Sequence, residues 1–194
     1  MGITILNCPW GNKFSIANAL KLVDADFSIE TASDALSKSD CLIIPGVGKF
    51  LNAYNYLLES EEILAIERFI EDGRKIIGIC LGMQLLFSFS EEGNSPGLNI
   101  FDGNVLSFSL NNHPKTNTGW SKTFKLNDQS FDFYYFTHSY YCAPKDNSIV
   151  TSKSIFNKIE FVASIKKDNI YGFQFHPEKS GIHGLHLLKK TLEL

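Results

Sequence analysis

The sequence has no long apolar run, no run of basic residues and no closely spaced cysteine pair, and each absence removes a class of function. The longest apolar stretch, "IIGICLGMQLLFSFS" from Ile76 to Ser90, is broken by Gln84 and by serines, short of the roughly 20 residues a membrane-spanning helix needs. The 18 Lys and Arg against 21 Asp and Glu leave a net charge of −3, with no basic patch for nucleic acid. The four cysteines, Cys8, Cys41, Cys80 and Cys142, lie far apart, so neither a zinc site nor a redox pair is expected. The opening "MGITILNCPWGN" lacks the basic start and apolar middle of a signal peptide, and the expected location is cytoplasmic. Repeats, low-complexity segments and linkers are also missing from the 194 residues, so residues 1–194 are expected to form a single domain.

What is present alternates between strand and helix. "ITIL" reads as a buried strand, stopped by Pro9 and Gly11, and "FSIANALKLV" has Phe14, Ala17 and Leu20 at helical spacing. "DCLIIPGVG" is a continuously apolar strand ending in a Pro-Gly turn, the pattern of a strand covered on both faces in a parallel sheet. From Lys49 to Asp72 one helical pattern runs to Gly73, its C-terminal stop. "RKIIGI" is the next strand, and "LGMQLLFSFS" is read as the helix after it. The second half offers short aromatic-rich β-type runs: "NVLSFSL", "WSKTFKL", "FDFYYFTHSYY", "SIVTS", "EFVASIK" and "IYGFQF". A last helix, "SGIHGLHLLKKTLEL", begins with Ser180 at the N-cap. The expectation is an α/β fold, a mostly parallel central sheet flanked by helices, with additional antiparallel strands in the C-terminal half.

Gly78-Ile79-Cys80-Leu81-Gly82 has the spacing of a nucleophile elbow with Cys in place of Ser. A strand turning sharply into a helix crowds the residues two before and two after the turn, which glycine relieves. The helix that follows favours thiolate, and the Leu81 N–H is placed to hold an oxyanion. The five residues alone also fit a buried cysteine at a Gly-bearing strand end.

A thiol nucleophile needs a base, and there are five histidines. His176 follows a strand and is itself followed by Pro177 and Glu178, so a carboxylate two residues on can orient its ring. His183 and His186 lie three apart on the last helix and read as an exposed or core-edge pair without a third metal ligand, and His113 sits in an Asn/Pro-rich loop. "PGVG" (Pro45 to Gly48) ends a parallel strand, where ligands bind in open α/β sheets, and Gly48 could bring an N–H to a reacting carbonyl. Taken alone, it is a plain turn.

Together, "GICLGMQ" at Cys80, "PGVG" at Pro45, "FTHSYY" at Phe136 and "GFQFHPEKS" ending at Ser180 resemble the class I (triad) glutamine amidotransferases. Among these the sequence is most similar to the glutaminase subunits of imidazole glycerol phosphate synthase, from about Ile3 to the C-terminus with every motif in order. The resemblance implies a flavodoxin-like fold and a triad of Cys80, His176 and Glu178. It also implies an oxyanion hole from the backbone N–H groups of Leu81 and of Val47 or Gly48, in a turn that can point the wrong way until a partner binds its own substrate. Gln84, His138, Ser139 and Tyr140 match positions that hold the glutamine backbone. Asn12, Trp120, Tyr135 and Lys179 match positions near the partner-facing surface. No cofactor or metal is implied. The implied partners are L-glutamine and a (β/α)8-barrel cyclase subunit in a heterodimer; neither nucleic acid nor a membrane is among them.

The sequence departs from the family at Asn7-Cys8-Pro9-Trp10-Gly11-Asn12-Lys13, where Asp-Tyr-Gly-x-Gly-Asn-Leu is usual. It departs again at Asn117-Thr118-Gly119-Trp120-Ser121, where Pro-His-x-Gly-Trp-Asn is usual. In the family both regions lie near the ammonia exit and the partner, so the departures motivate a second reading: a paralogous glutaminase subunit supplying a sugar amidotransferase of surface-polysaccharide biosynthesis. A catalytically silent subunit predicts a damaged triad, and all three residues are present. A cysteine peptidase sharing the dyad would need an open peptide cleft. Cys8 is expected to be a packed thiol.

Overall fold

The computed structural model describes residues 2–109, 115–128 and 130–193. In chain order its strands are β1 Ile3–Leu6, β2 Phe27–Glu30, β3 Cys41–Ile44, β4 Lys75–Ile79, β5 Phe87–Ser90, β6 Ser95–Pro96 and β7 Phe101–Ser107. They continue as β8 Asn117–Lys125, β9 Phe131–His138, β10 Tyr140–Pro144, β11 Val150–Phe156, β12 Ile159–Lys167 and β13 Ile170–Phe173. The helices are α1 Lys13–Leu22, α2 Ala32–Ala35, α3 Phe50–Glu59, α4 Glu62–Glu71, α5 Leu81–Leu85 and α6 Gly181–Leu192. None is long and apolar enough to cross a membrane.

Among the described residues, one sheet of nine strands has the order β2-β1-β3-β4-β13-β12-β11-β8-β9. Its β2-β1-β3-β4-β13 half is parallel and the remainder antiparallel. The parallel strands β1, β3 and β4 are buried along their whole length, so both faces of this half are covered. Alternation then sorts their side chains into two cores. Cys41, Ile43, Ile77 and Ile79 face the core shared with α1 and Leu192 of α6, whereas Leu42, Ile44 and Ile76 meet Phe50, Leu57, Ile66 and Phe69 of α3 and α4. Fully burying a phenylalanine such as Phe50 or Phe69 contributes about 1.5–3 kcal/mol. A second sheet, β10-β7-β5-β6, lies over the C-terminal end of β4 through α5.

Several sequence expectations change here. The helical stretch from Lys49 to Asp72 is two helices, because Glu61 adopts φ 59° and the Ser60 hydroxyl bonds back to the Tyr56 carbonyl, ending α3. This break sets Glu62 at the start of α4, where its buried carboxylate accepts the Ala32 N–H at 2.6 Å. "LGMQLLFSFS" is helical only over Leu81–Leu85, and Phe87–Ser90 is strand β5. "FDFYYFTHSYY" divides at Ser139 into β9 of the large sheet and β10 of the small one. "SIVTS" begins with a 3-10 turn, Asn147–Ile149. Strand β2 and helix α2, between α1 and β3, were not expected from the sequence. Ser180 precedes α6, but its hydroxyl donates to the His176 carbonyl at 2.6 Å and accepts the Tyr135 N–H at 3.0 Å instead of capping the helix.

Candidate active site

Parallel pairing brings three chain segments to one edge. Ile44 pairs with Gly78, and Phe173 with Ile79, so the turn after β3, Cys80 after β4 and Gln174–His176 after β13 all emerge side by side. Cys80 is the turning point between β4 and α5, at φ 52° and ψ −108°, a conformation costing of order 1–3 kcal/mol for a non-glycine residue. The turn is held by the Cys80 N–H on the Phe173 carbonyl at 2.7 Å and by the Gln84 N–H on the Cys80 carbonyl at 3.1 Å. A Cβ at Gly78 would stand 2.7 Å from the Gly82 carbonyl oxygen, and one at Gly82 would overlap the Ile44 carbonyl. The two glycines flanking the thiol are therefore required by packing, and Cys80 itself is buried at 5% exposure.

His176 ends the β13 segment, and Pro177–Lys179 closes a 3-10 turn that folds Glu178 back beneath the ring. His176 Nδ1 lies 2.7 Å from Glu178 Oε1, both side chains being 1% exposed. Glu178 thereby fixes Nδ1 as the donor, leaving Nε2, buried and without a protein partner, for proton exchange. Burial opposes charge on this ring, but the negative charge of a Cys80 thiolate and the Glu178 carboxylate outweigh it and push its pKa up to about 10. Around the sulfur, Gln174 Nε2 donates to Sγ at 3.6 Å and the Thr137 carbonyl lies 3.9 Å away.

A cleft of about 270 Å³ opens on Cys80, lined by Val47, Gly48, Leu81, Gln84, Glu92, Thr137, His138, Ser139 and Tyr140 among others. Its size suits an amino acid better than an extended peptide. The division of "FTHSYY" between two sheets is what places His138, Ser139 and Tyr140 on its wall. His138 is buried; burial pushes its pKa down to about 4, so the ring is neutral. Its Nδ1 donates to the Tyr140 carbonyl at 2.7 Å and its Nε2 accepts from Asn117 Nδ2 at 3.1 Å. The Tyr140 carbonyl also accepts from Gln84 Nε2 at 2.9 Å, and the Ser139 hydroxyl pairs with Thr116 at 2.8 Å. With both Nε2 hydrogens of Gln84 engaged, by Tyr140 and by Gln174, its carbonyl oxygen is the atom left for a ligand.

Three residues of this site escaped the sequence reading. Glu92 is a carboxylate on the cleft wall, its Oε2 accepting the Phe50 N–H at 3.0 Å; reading "FSFS" as a strand would have turned it toward the site. Asn117 stands where the resembling family has histidine. Gln174, fully buried between Phe173 and Phe175, was a polar residue in an apolar strand and therefore a signal in itself.

The remaining expected positions fall outside the cleft. Asn12 is exposed and caps α1, its side chain accepting the Ser15 N–H. Trp120 is 56% exposed and meets Tyr135 edge-on across the β8–β9 pair, with centroids 6.2 Å apart, while Lys179 is exposed on the turn beside Glu178. The atypical opening touches the catalytic edge: Trp10 Nε1 donates to the Pro45 carbonyl at 3.2 Å, and Gly48 holds φ +113° nearby. Cys8 is packed, its thiol on the Trp10 carbonyl at 2.8 Å and its pKa pushed up to about 12 by burial. His183 and His186 are exposed, and His113 lies outside the described residues. Among the described residues no three His, Cys, Asp or Glu are grouped as a metal site.

Comparison with known proteins gives the family and the fold. Residues 7–193 match the family model described as glutamine amidotransferase class-I. The imidazole glycerol phosphate synthase subunit hisH of Cyanidium caldarium is 38% identical over 98% of this chain and 97% of its own. The subunit HisH of Aquifex aeolicus is also 38% identical, over 97% and 95%. Among solved structures, PurLQS from Thermotoga maritima superimposes with a TM-score of 0.75 at 18% identity, over 99% of this chain and 97% of that one. A structure described as a glutamine amidotransferase gives a TM-score of 0.78 at 15% identity, over 99% of each chain.

Proposed function

The chain belongs to the class-I glutamine amidotransferase family, and from that premise we propose that it is the glutamine-hydrolysing subunit of imidazole glycerol phosphate synthase, supplying ammonia for histidine biosynthesis. The observation that carries the reading is Cys80 on a strained strand-to-helix turn, facing an imidazole whose other nitrogen is held by Glu178. We assign Cys80 as nucleophile, His176 as base and acid, and Glu178 as the group orienting the ring.

Glutamine enters with its α-ammonium toward Glu92 and the Gln84 carbonyl, and its side-chain amide over Cys80. Sγ attacks the amide carbon, and the oxyanion is held by the N–H groups of Leu81 and of Val47 or Gly48. The proton on His176 Nε2 passes to the departing nitrogen, and ammonia leaves a glutamyl thioester. Acylation also neutralises the sulfur charge that keeps His176 protonated, so the ring becomes more acidic when the leaving group needs its proton. His176 then takes a proton from water, which attacks the thioester and frees glutamate and Cys80.

Residues 1–194 act in this reading as one cytoplasmic glutaminase domain, its thiols kept reduced. The partner is a cyclase subunit bound as a heterodimer against Asn12, Trp120, Tyr135 and Lys179. Ammonia is mostly protonated at neutral pH, so the neutral nucleophile must pass through a sealed contact. The test is glutamate release by the purified chain alone, with the cyclase, and with cyclase plus its nucleotide substrate. Strong stimulation in the last arm is expected. No stimulation of a folded chain with a reactive Cys80 would transfer the assignment to a glutaminase serving another acceptor, such as a sugar amidotransferase.

A further inference from the structure

We propose that Gln174 is a positioning residue for Cys80, presenting an N–H to the sulfur with a polarity dictated by the backbone carbonyl of Tyr140 through Gln84. The proposal rests on Cys80 being the nucleophile.

A primary amide can turn either its oxygen or its nitrogen toward a neighbour, and an oxygen facing a thiolate would repel it. A backbone carbonyl only accepts, so Tyr140 requires Gln84 to present Nε2, at 2.9 Å. The second hydrogen of that nitrogen points at Gln174, which must answer with Oε1, at 3.1 Å. The Gln174 nitrogen is thereby turned to Cys80 Sγ, at 3.6 Å. Each amide reads its orientation from the one before, and the last delivers a donor to the sulfur.

The sulfur also meets the Thr137 carbonyl at 3.9 Å, which accepts from a thiol, and the buried Cys142 lies close enough to feel its charge, so Gln174 and His176 are the groups there that favour the thiolate. Gln174 is 0% and Gln84 4% exposed, so water does not compete for these bonds. The Gln174 main chain is fixed by its N–H on the Ala163 carbonyl at 2.9 Å. His176, two residues further, acts on the same sulfur, so one short segment supplies both the proton carrier and a fixed dipole. A neutral donor stabilises the thiolate without exchanging its proton, and it does so again when the thioester breaks down and the sulfur leaves as thiolate.

The test is the pH dependence of Cys80 alkylation by iodoacetamide, located by peptide mass spectrometry, with glutamine turnover measured in the complex with the cyclase. Gln174→Leu keeps the bulk and removes the donor, and Gln174→Met is the second variant should the first fail to fold by thermal unfolding. A donor to a charged sulfur predicts an alkylation midpoint about 1–2 pH units higher and a kcat about 10- to 100-fold lower, with a smaller change in KM. Folded variants whose Cys80 alkylates with the original pH profile overturn the inference, whatever their turnover. Failure of the underlying reading looks different: in the unaltered chain iodoacetamide would leave Cys80 untouched and glutamine would protect nothing.

Discussion

The ends of β13 and β9 each bury a histidine, and the two rings are driven in opposite directions. His176 is pushed up to about 10 and His138 down to about 4. Burial disfavours the charged form of both, and it leads the causes for each. The difference lies in the neighbours. His176 has the Glu178 carboxylate on one side and the Cys80 sulfur on the other, whereas His138 has a backbone carbonyl and the Asn117 amide. Neutral partners hold a ring's tautomer without charging it, so in the proposed mechanism one histidine moves protons while the other remains part of a wall.

This contrast can be broken most severely at the sulfur. Cys80→Ala is expected to lower glutamine hydrolysis by at least about 10⁴-fold, and to lower the His176 titration midpoint read by NMR, since the largest raising influence is removed. Hydrolysis that survived would mean the nucleophile is misassigned. Glu178→Gln should reduce kcat by about 10²- to 10³-fold, less than loss of the thiol, because the carboxylate only assists the base; an equal loss would give Glu178 a larger part. On the other ring, Asn117→Leu removes the donor to His138 Nε2 and should raise KM for glutamine by about 10-fold with little change in kcat. Steady-state kinetics in the presence of the cyclase separates these two.

The smallest effect is on stability against pH. His138, lowered from 6.5 to about 4, contributes fully above pH 6.5, and that contribution is lost as pH falls through the folded value. His176, raised from 6.5 to about 10, contributes fully below pH 6.5, and its contribution is lost as pH rises through about 10. The melting temperature, as far as these rings govern it, should peak near pH 6.5. His138→Gln should flatten the acid side alone, and an unchanged acid side would show that His138 is not the group responsible.

How much of this was legible depended on whether a residue carries its signal locally. Cys80 does, because Gly78 and Gly82 are demanded by the turn itself, and His176 does, because Pro177 and Glu178 follow directly. Three of the five parallel strands were readable from "ITIL", "CLII" and "KIIGI", whose unbroken apolar character follows from cover on both faces; half-buried β2 was not, and β13, expected among the antiparallel runs, lies parallel to β4 on one side and antiparallel to β12 on the other. The break at Glu61 was not readable, since a single residue at φ 59° leaves the apolar periodicity on either side intact. "FSFS" has strand alternation, but it follows a helical pattern without a glycine or proline to separate them. Gln174 stands out locally as a polar residue in an apolar run, but its role and that of Asn117 depend on partners 94 and 21 residues away, and no local pattern records such pairings.

The Tyr140 carbonyl has a consequence for how this protein could be mapped by mutation. It accepts from both His138 and Gln84, yet it belongs to the main chain, and every amino acid at position 140 supplies it. A saturation scan would record intolerance at positions 84, 138 and 174 and blame those side chains, while the atom they consult passed unseen. Only chemistry below the level of the genetic code reaches it. Replacing the peptide bond between residues 140 and 141 by an ester weakens that acceptor, and removes the Tyr141 N–H, while keeping every side chain; it should loosen His138, Gln84 and Gln174 together, and an ester between residues 141 and 142 is the control for a lost β10 main-chain donor.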